Sequence, residues 1–136
     1  MELNVDKSKA MIFNFTKEYQ FTSRTKMEDR NIEVIKETKL LGVFVNDNLT
    51  WERNTMNLVK RSNARMRLLH KLVEFGVSEP DLVHIYILYV RSILEHSCQV
   101  WHSSLTLDCF HNLLNVFKKQ PSKLSYKVNI IHIAVL

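Results

Sequence analysis

Four basic side chains in the middle of the chain recur at helical spacing and could bind phosphate groups. Arg53, Lys60, Arg67 and Lys71 lie within about 40° of one another around a helix axis at about 100° per residue. Cations spaced in this way can neutralise phosphates along a nucleic-acid backbone without reading its sequence. A charged face that merely meets water is the common alternative. We expect phosphate contact, because no acidic residue lies between Arg53 and Lys71.

A group of imidazole and thiol side chains raises the question of a zinc site. Its members are His96, Cys98, His102, Cys109 and His111. Tetrahedral zinc sites usually contain two cysteines separated by two to four residues, and the two cysteines here are too far apart in sequence for that pattern. No adjacent base marks either cysteine as a nucleophile. We therefore expect core or loop residues here and no metal site.

The first 49 residues favour short strands. Residues 9–15 and 31–36 are short segments with apolar residues, and a polar connection spans residues 16–30. Residues 39–45 predict a further strand with Gly42 in its interior, where glycine indicates a bulge or the close approach of another backbone. Residues 46–48 have turn chemistry.

From Thr50 onward the apolar period becomes helical. Thr50 is the expected N-cap of a helix that ends before Gly76. One side of this helix carries apolar side chains and faces away from the four cations. The members of this apolar side are Trp51, Leu58, Val59, Met66, Leu69 and Val73.

Two further helices are predicted. Ser78 and Asp81 have capping-box spacing at the start of a helix that reaches Leu94 and is apolar almost all round. We expect it to be the central and most buried helix, so that Leu88→Asp would unfold the helical part. After a break at residues 96–105, Thr106 caps a helix that extends to about Lys119 and is stopped by Pro121. The tryptophans at 51 and 101 are expected core anchors.

Composition narrows the class of protein. The chain has 136 residues, is 46% hydrophobic, and contains only two glycines and two prolines, which disfavours a turn-rich sandwich or barrel. The pattern predicts one α+β domain, with a small antiparallel β-piece followed by a bundle of about three helices. Neither a membrane span nor a signal peptide is expected, and two cysteines suit a reducing compartment, so an intracellular location, nuclear or cytoplasmic, is expected. The net charge is +5, and residues 50–78 hold six basic and two acidic side chains.

Three segments resemble one known family when they are taken in order. Residues 3–13 are similar to the loop and strand late in the palm of non-LTR (LINE-type) retrotransposon reverse transcriptases. Residues 39–45, followed by 49–51, resemble the primer-grip hairpin of that family. Tyr89, residues 91–95 and residues 100–101 resemble its helical region after the palm. The resemblance covers roughly residues 1–120.

The resemblance implies a fragment of an RNA-directed DNA polymerase. Residues 1–49 would be the end of the palm, residues 50–120 a helical thumb-like region, and residues 121–136 a tail. The family's chemistry uses clustered palm aspartates that hold magnesium. The five aspartates of this chain, at positions 6, 29, 47, 81 and 108, include no adjacent pair. We therefore expect no independent polymerase activity, and Mg²⁺ only in the complete parent enzyme.

Family resemblance also assigns roles to individual residues. It implies that Lys7 and Lys9 lie near the phosphates of an incoming nucleotide, although both could be ordinary turn and strand lysines. It implies that a side chain at Gly42 would strike the primer backbone, although a bulge or a hairpin would require glycine for the same steric reason. The expected partners are an RNA/DNA primer–template and the missing fingers and palm of the parent polymerase, and no membrane. The alternative is a non-enzymatic helical interaction module or a functionless pseudogene product.

Overall fold

The chain folds as two units with different secondary structure. The computed structural model describes residue 4 and residues 7–15, 25–27 and 30–121. The compact units are Met1–Trp51, which contains short strands, and Glu52–Leu136, whose described part is helical. The α+β class predicted from the sequence is confirmed. The expected tail 122–136 and most of the polar connection 16–30 lie outside the described residues.

Short strands in the first unit form three two-stranded pairs among the described residues. These are β1 (Lys9–Ala10) parallel to β4 (Glu33–Val34), β2 (Lys26–Met27) antiparallel to β3 (Arg30–Asn31), and β5 (Glu37–Leu40) antiparallel to β6 (Val43–Asn46). The strand predicted over residues 9–15 is therefore only two residues long. The one predicted over residues 31–36 is divided between the end of β3 at Asn31 and β4 at Glu33–Val34. The pairing of β4 is parallel, which departs from the antiparallel piece expected.

The β5–β6 hairpin corrects the position predicted for Gly42. Leu41 and Gly42 form the two-residue turn, with φ of 48° and 92°. Positive φ at both central residues is the type I′ geometry, whose twist matches that of the flanking strands. The prediction of one continuous strand over residues 39–45 is wrong, because the chain reverses in its middle. Gly42 meets the need for positive φ there, which glycine adopts at little cost.

Helix α1 (Glu52–Glu74) has the predicted C-terminus and a different N-terminus. The Gly76 N–H donates to the Val73 carbonyl at 3.1 Å, and the Val77 N–H donates to the Leu72 carbonyl at 3.2 Å. With φ of 76° at Gly76, these two bonds form a Schellman motif, as the sequence predicted.

The predicted N-cap of α1 is wrong, because the helix begins two residues after Thr50. The Thr50 hydroxyl accepts a hydrogen bond from the Asn46 side-chain amide at 2.7 Å, and the Thr50 N–H donates to the Asn46 side-chain oxygen at 3.0 Å. These bonds hold Thr50 in the preceding turn. Trp51 then has φ of 60° and is buried, as predicted for a core anchor.

The second helical stretch, residues 79–94, changes its winding part of the way along. It comprises α2 (Glu79–Ile85), a π-helical segment (Tyr86–Arg91) and α3 (Ser92–Leu94). Its start differs from a capping box, since the Ser78 hydroxyl donates to the Asp81 carboxylate at 2.5 Å and makes no side-chain cap. The buried positions recur about every four residues, at Leu82, Tyr86, Val90, Ile93 and Leu94.

The exposed side chains of this stretch show that it is not the central, most buried helix that the sequence predicted. Leu88 is 66% exposed and Tyr89 is 49% exposed. The premise that Leu88 is buried is therefore wrong, and so is the reason given for unfolding by Leu88→Asp. Helix α1 packs against α2, the π segment, α3 and the last helix, so it and not the second stretch is the element that the other main helices share as a contact. An apolar composition all round did not lead to burial all round, because few elements exist to cover it.

The last described part of the helical unit has the N-cap and the C-terminal end that the sequence predicted. Short turns α4 (Cys98–Trp101) and a 3₁₀ turn (His102–Ser104) occupy the predicted break. Helix α5 (Leu107–Lys118) begins after Thr106, whose hydroxyl accepts from the Cys109 N–H at 3.3 Å, as predicted. The helix ends shortly before Pro121. Trp101 is buried, and its indole N–H donates to the His96 carbonyl at 3.0 Å.

A buried phenol joins the second helical stretch to the end of α5. The Tyr86 side chain is fully buried, and its oxygen accepts a hydrogen bond from the Gln120 amide at 2.8 Å. Burial raises the pKa of Tyr86 from 10.0 to about 12, against the opposing effects of the Arg91 charge and the Gln120 hydrogen bond. The phenol therefore stays neutral in the folded protein well above neutral pH.

Truncation of a buried and an exposed leucine of the same helical stretch should have unequal effects. Leu82→Ala should lower the free energy of unfolding by about 2–5 kcal/mol, because it leaves a cavity at a fully buried position. Leu88→Ala should change it by only about 0.5 kcal/mol. Urea unfolding followed by circular dichroism measures both, and equal losses would contradict this placement of the stretch.

Stability should fall at alkaline pH because of Tyr86. Since the pKa of Tyr86 is raised in the folded protein, the unfolded chain loses the phenol proton first as pH rises. The contribution of the neutral phenol to the free energy of unfolding is therefore complete below pH 10 and is lost as pH rises towards about 12. The difference in unfolding free energy between the wild type and Tyr86→Phe should therefore shift in favour of the variant across that interval. Urea titrations at several pH values measure it, and a constant difference would refute the effect.

Candidate nucleic-acid interface

The four cations predicted to form a stripe lie on one exposed side of α1. Arg53, Lys60, Arg67 and Lys71 are all exposed. At about 1.5 Å per residue they extend over roughly 27 Å of the helix. The buried positions of α1 are on the opposite side, and they are Asn54, Thr55, Leu58, Ser62, Met66 and Leu69. The predicted segregation of faces is confirmed, and we call the four cations the basic stripe.

The charge around the basic stripe is almost entirely positive along the helix. The acidic residues of α1 are its first and last, Glu52 and Glu74. Glu52 complements the helix dipole at the N-terminus, whereas Glu74 is placed within one turn of Lys71. Arg61 and Arg65 are also exposed, but they lie further round the helix, and Arg65 is almost on the side opposite the stripe. The result is a positive surface over most of the length of α1, to which an anion would be attracted.

An aromatic contact fixes Arg65, a cation of α1 that lies away from the basic stripe. The guanidinium carbon of Arg65 lies 5.5 Å from the centre of the Tyr89 ring, within the range of a cation–π interaction. This contact joins α1 to the π segment at the surface. This contact was not predictable from the sequence, since the two residues are far apart in the chain and neither has a distinctive local pattern.

The lysines expected near a nucleotide belong to the first unit. The Lys9 Nζ lies 3.2 Å from the Glu33 Oε2, and the two residues are paired in the β1–β4 register. Lys7 is exposed, and its backbone N–H donates to the Asn4 side-chain oxygen at 3.3 Å. The described residues thus assign Lys9 a cross-strand ion pair. The nucleotide-proximal roles of Lys7 and Lys9 stay predictions.

Gly42 is at a hairpin tip next to an exposed leucine. Leu41 is among the most exposed apolar side chains of the chain, and Lys39 lies over the Phe44 ring at 5.4 Å across the hairpin. The turn requires positive φ at Gly42 whatever the hairpin contacts. The role of Gly42 beside a primer therefore stays a prediction, since turn geometry alone accounts for the glycine.

The imidazoles and thiols do not assemble into a metal site in the part of the chain that the structure describes. No group of three or more His, Cys, Asp or Glu side chains there could hold a metal ion. Cys109 is buried and Cys98 is partly buried, and both thiols are free. The described residues therefore offer no ligand set for Mg²⁺.

None of the described helices combines the length and the apolar character that crossing a membrane requires.

Comparison with known proteins identifies no relative. No protein-family model, no curated protein and no solved structure matches this chain. The geometry of the basic stripe and the sequence resemblance therefore carry the functional argument.

Proposed function

We propose that the basic stripe of α1 binds the phosphate backbone of a nucleic-acid duplex. The observation that carries this proposal is the exposure of Arg53, Lys60, Arg67 and Lys71 on one side of a helix with no acidic residue between them. Like charges on one helix face repel one another and so reduce helix stability. A polyanionic partner removes that repulsion and releases its own counterions.

The resemblance to non-LTR retrotransposon reverse transcriptases supports a specific duplex. In this proposal the chain is a fragment of such an RNA-directed DNA polymerase, with the end of the palm in the first unit and a thumb-like region in the second. Its ligand is a primer–template of RNA and DNA, which the thumb grips without reading sequence. Phosphate contacts suit that task because they do not depend on the bases.

In this proposal the fragment binds nucleic acid and has no polymerase activity of its own. The sequence contains no adjacent aspartates, whereas the family holds its magnesium ions with clustered palm aspartates. The missing fingers and palm of the parent polymerase would supply those ligands and the Mg²⁺. The proposed place of action is wherever the parent enzyme copies RNA, in the nucleus or the cytoplasm.

A helical interaction module is the second candidate, and exposed apolar side chains favour it. Phe75, Leu88 and Leu107 are each more than half exposed in the helical unit. Apolar side chains at the surface are normal when scattered, but they can also contact a protein partner. This candidate predicts a partner whose binding is insensitive to salt, whereas phosphate binding is strongly weakened by salt.

Charge reversal in the basic stripe should weaken binding to a DNA–RNA duplex. Lys60→Glu combined with Arg67→Glu removes two phosphate contacts, so the affinity should fall for duplexes of any base sequence. The slope of log affinity against log salt should become shallower by roughly 2, which is about 1 per contact. Fluorescence anisotropy with a labelled duplex at several salt concentrations measures both quantities.

A matched control separates the stripe from net charge. Lys118→Glu combined with Lys119→Glu makes the same charge change at two exposed positions at the end of α5. This control should leave the salt slope near that of the wild type. If both double variants reduced the affinity and the slope equally, general attraction and not the basic stripe would hold the duplex.

A further inference from the structure

Five side chains with alternating four- and three-residue spacing form a row along α1 on a side that the basic stripe does not occupy. At about 100° per residue they lie within about 80° of one another, and the middle of the row is roughly 95° from the middle of the stripe. This alternation is the spacing at which one helix packs along another. The five, which we call the seam, are Arg61, Arg65, Leu68, Leu72 and Phe75.

The second half of the seam is apolar and exposed. Phe75 is 82% exposed and Leu68 is 49% exposed, whereas Leu72 between them is half-buried. The Tyr89 ring of the π segment, also about half exposed, extends this surface because it contacts Arg65. Large apolar side chains that are neighbours at a surface indicate contact with another molecule.

The first half of the seam carries two arginines without acidic partners. No carboxylate of the described residues forms an ion pair with Arg61 or Arg65, and Glu95 of the second helical stretch pairs with Arg91 instead. Arg65 is already held over the Tyr89 ring, so it loses less side-chain freedom when its N–H groups bind a carboxylate. This half of the seam therefore fits an acidic group.

The charge and the apolar half of the seam together disfavour three possible occupants. Residues 122–136 contain two lysines and no acidic residue, so like charges oppose their binding beside the two arginines. A second copy packed by two-fold symmetry would set the arginines against each other or against the apolar half, and both contacts are unfavourable. A nucleic-acid backbone would pair with the arginines and leave Leu68 and Phe75 uncovered.

We infer that the seam binds an acidic amphipathic helix of another protein. Apolar side chains of that helix cover the leucines and the phenylalanine of the seam, and its carboxylates pair with the two arginines. An apolar strip at three- to four-residue spacing on the partner interlocks with the same spacing on α1. The inference goes beyond the proposed function, since the basic stripe lies on another side of α1 and is free to hold a duplex at the same time.

The test uses two synthetic helical peptides that differ only in charge. Each has about 21 residues, above the length at which isolated helices are marginal, and carries leucines at alternating three- and four-residue spacing. The positions that flank the leucines are glutamate in one peptide and glutamine in the other. The full chain should bind both peptides, and the glutamate peptide about fivefold more tightly, because two further ion pairs form. Fluorescence anisotropy of the labelled peptides measures both affinities.

Truncation of exposed side chains assigns the apolar part of the contact to the seam. Leu68→Ala and Phe75→Ala should each weaken the binding of both peptides at least about fivefold, because each removes apolar surface that the peptide covers. Leu107→Ala is the matched control, since this leucine of α5 is 77% exposed and lies outside the seam. It should keep both affinities within about twofold of the wild type.

Neutral variants assign the preference for glutamate to the two arginines. Arg61→Gln combined with Arg65→Gln should bring the two peptides to within about twofold of each other, while the glutamine peptide keeps most of its affinity. Lys118→Gln combined with Lys119→Gln makes the same change in net charge at exposed positions at the end of α5. This control should keep the preference.

Several outcomes would overturn the seam as a site for a helix. These are no binding of either peptide by the wild type, or equal effects of the seam variants and their matched controls. A wild-type dimer that Leu68→Ala or Phe75→Ala separates would assign the seam to a second copy. Weaker duplex binding by those variants, with peptide binding unchanged, would assign it to nucleic acid. Salt-dependent binding of a duplex by the basic stripe would stand whatever the peptides show, and its absence in the wild type would overturn the proposed function alone.

Discussion

Burial of one side of α1 is the constraint on which the helical unit depends. Leu58, Met66 and Leu69 are almost fully buried, and each such side chain contributes about 1.5–3 kcal/mol when removed from water. A helix is rigid about its axis, so burying this side also fixes the direction of the other. The basic stripe faces solvent for this reason, since turning it inward would bury unpaired cations at a far greater cost. The orientation of α1 about its own axis thus determines both the core packing and the proposed binding surface.

The second helical stretch shows how winding redistributes side chains between core and surface. In the π segment each turn contains more residues than in an α-helix, and buried positions here recur about every four residues. Tyr86 and Val90 are buried by that arrangement, whereas Leu88 and Tyr89 are exposed. Tyr89 then meets Arg65 of α1 at the surface. Apolar composition alone could not distinguish these two outcomes within one short segment.

The composition of the buried side of α1 changes along the helix. Its first half buries the polar side chains of Asn54, Thr55 and Ser62 together with Leu58, and its second half buries Met66 and Leu69. The buried side of α1 is therefore wholly apolar only in its second half.

Local sequence signals determined some ends and the two faces of α1, and tertiary structure decided how the elements are related to one another. The Schellman motif at Gly76, the Thr106 cap and the two faces of α1 were predictable, because each depends on residues within a few turns of chain. At Gly42 the local pattern predicted a strand with a bulge, whereas the resemblance to a hairpin implied the reversal that is observed. The central position of α1 and the exposure of Leu88 could not be read locally. They depend on which surfaces distant segments cover, and burial is a property of that whole arrangement and not of any one residue.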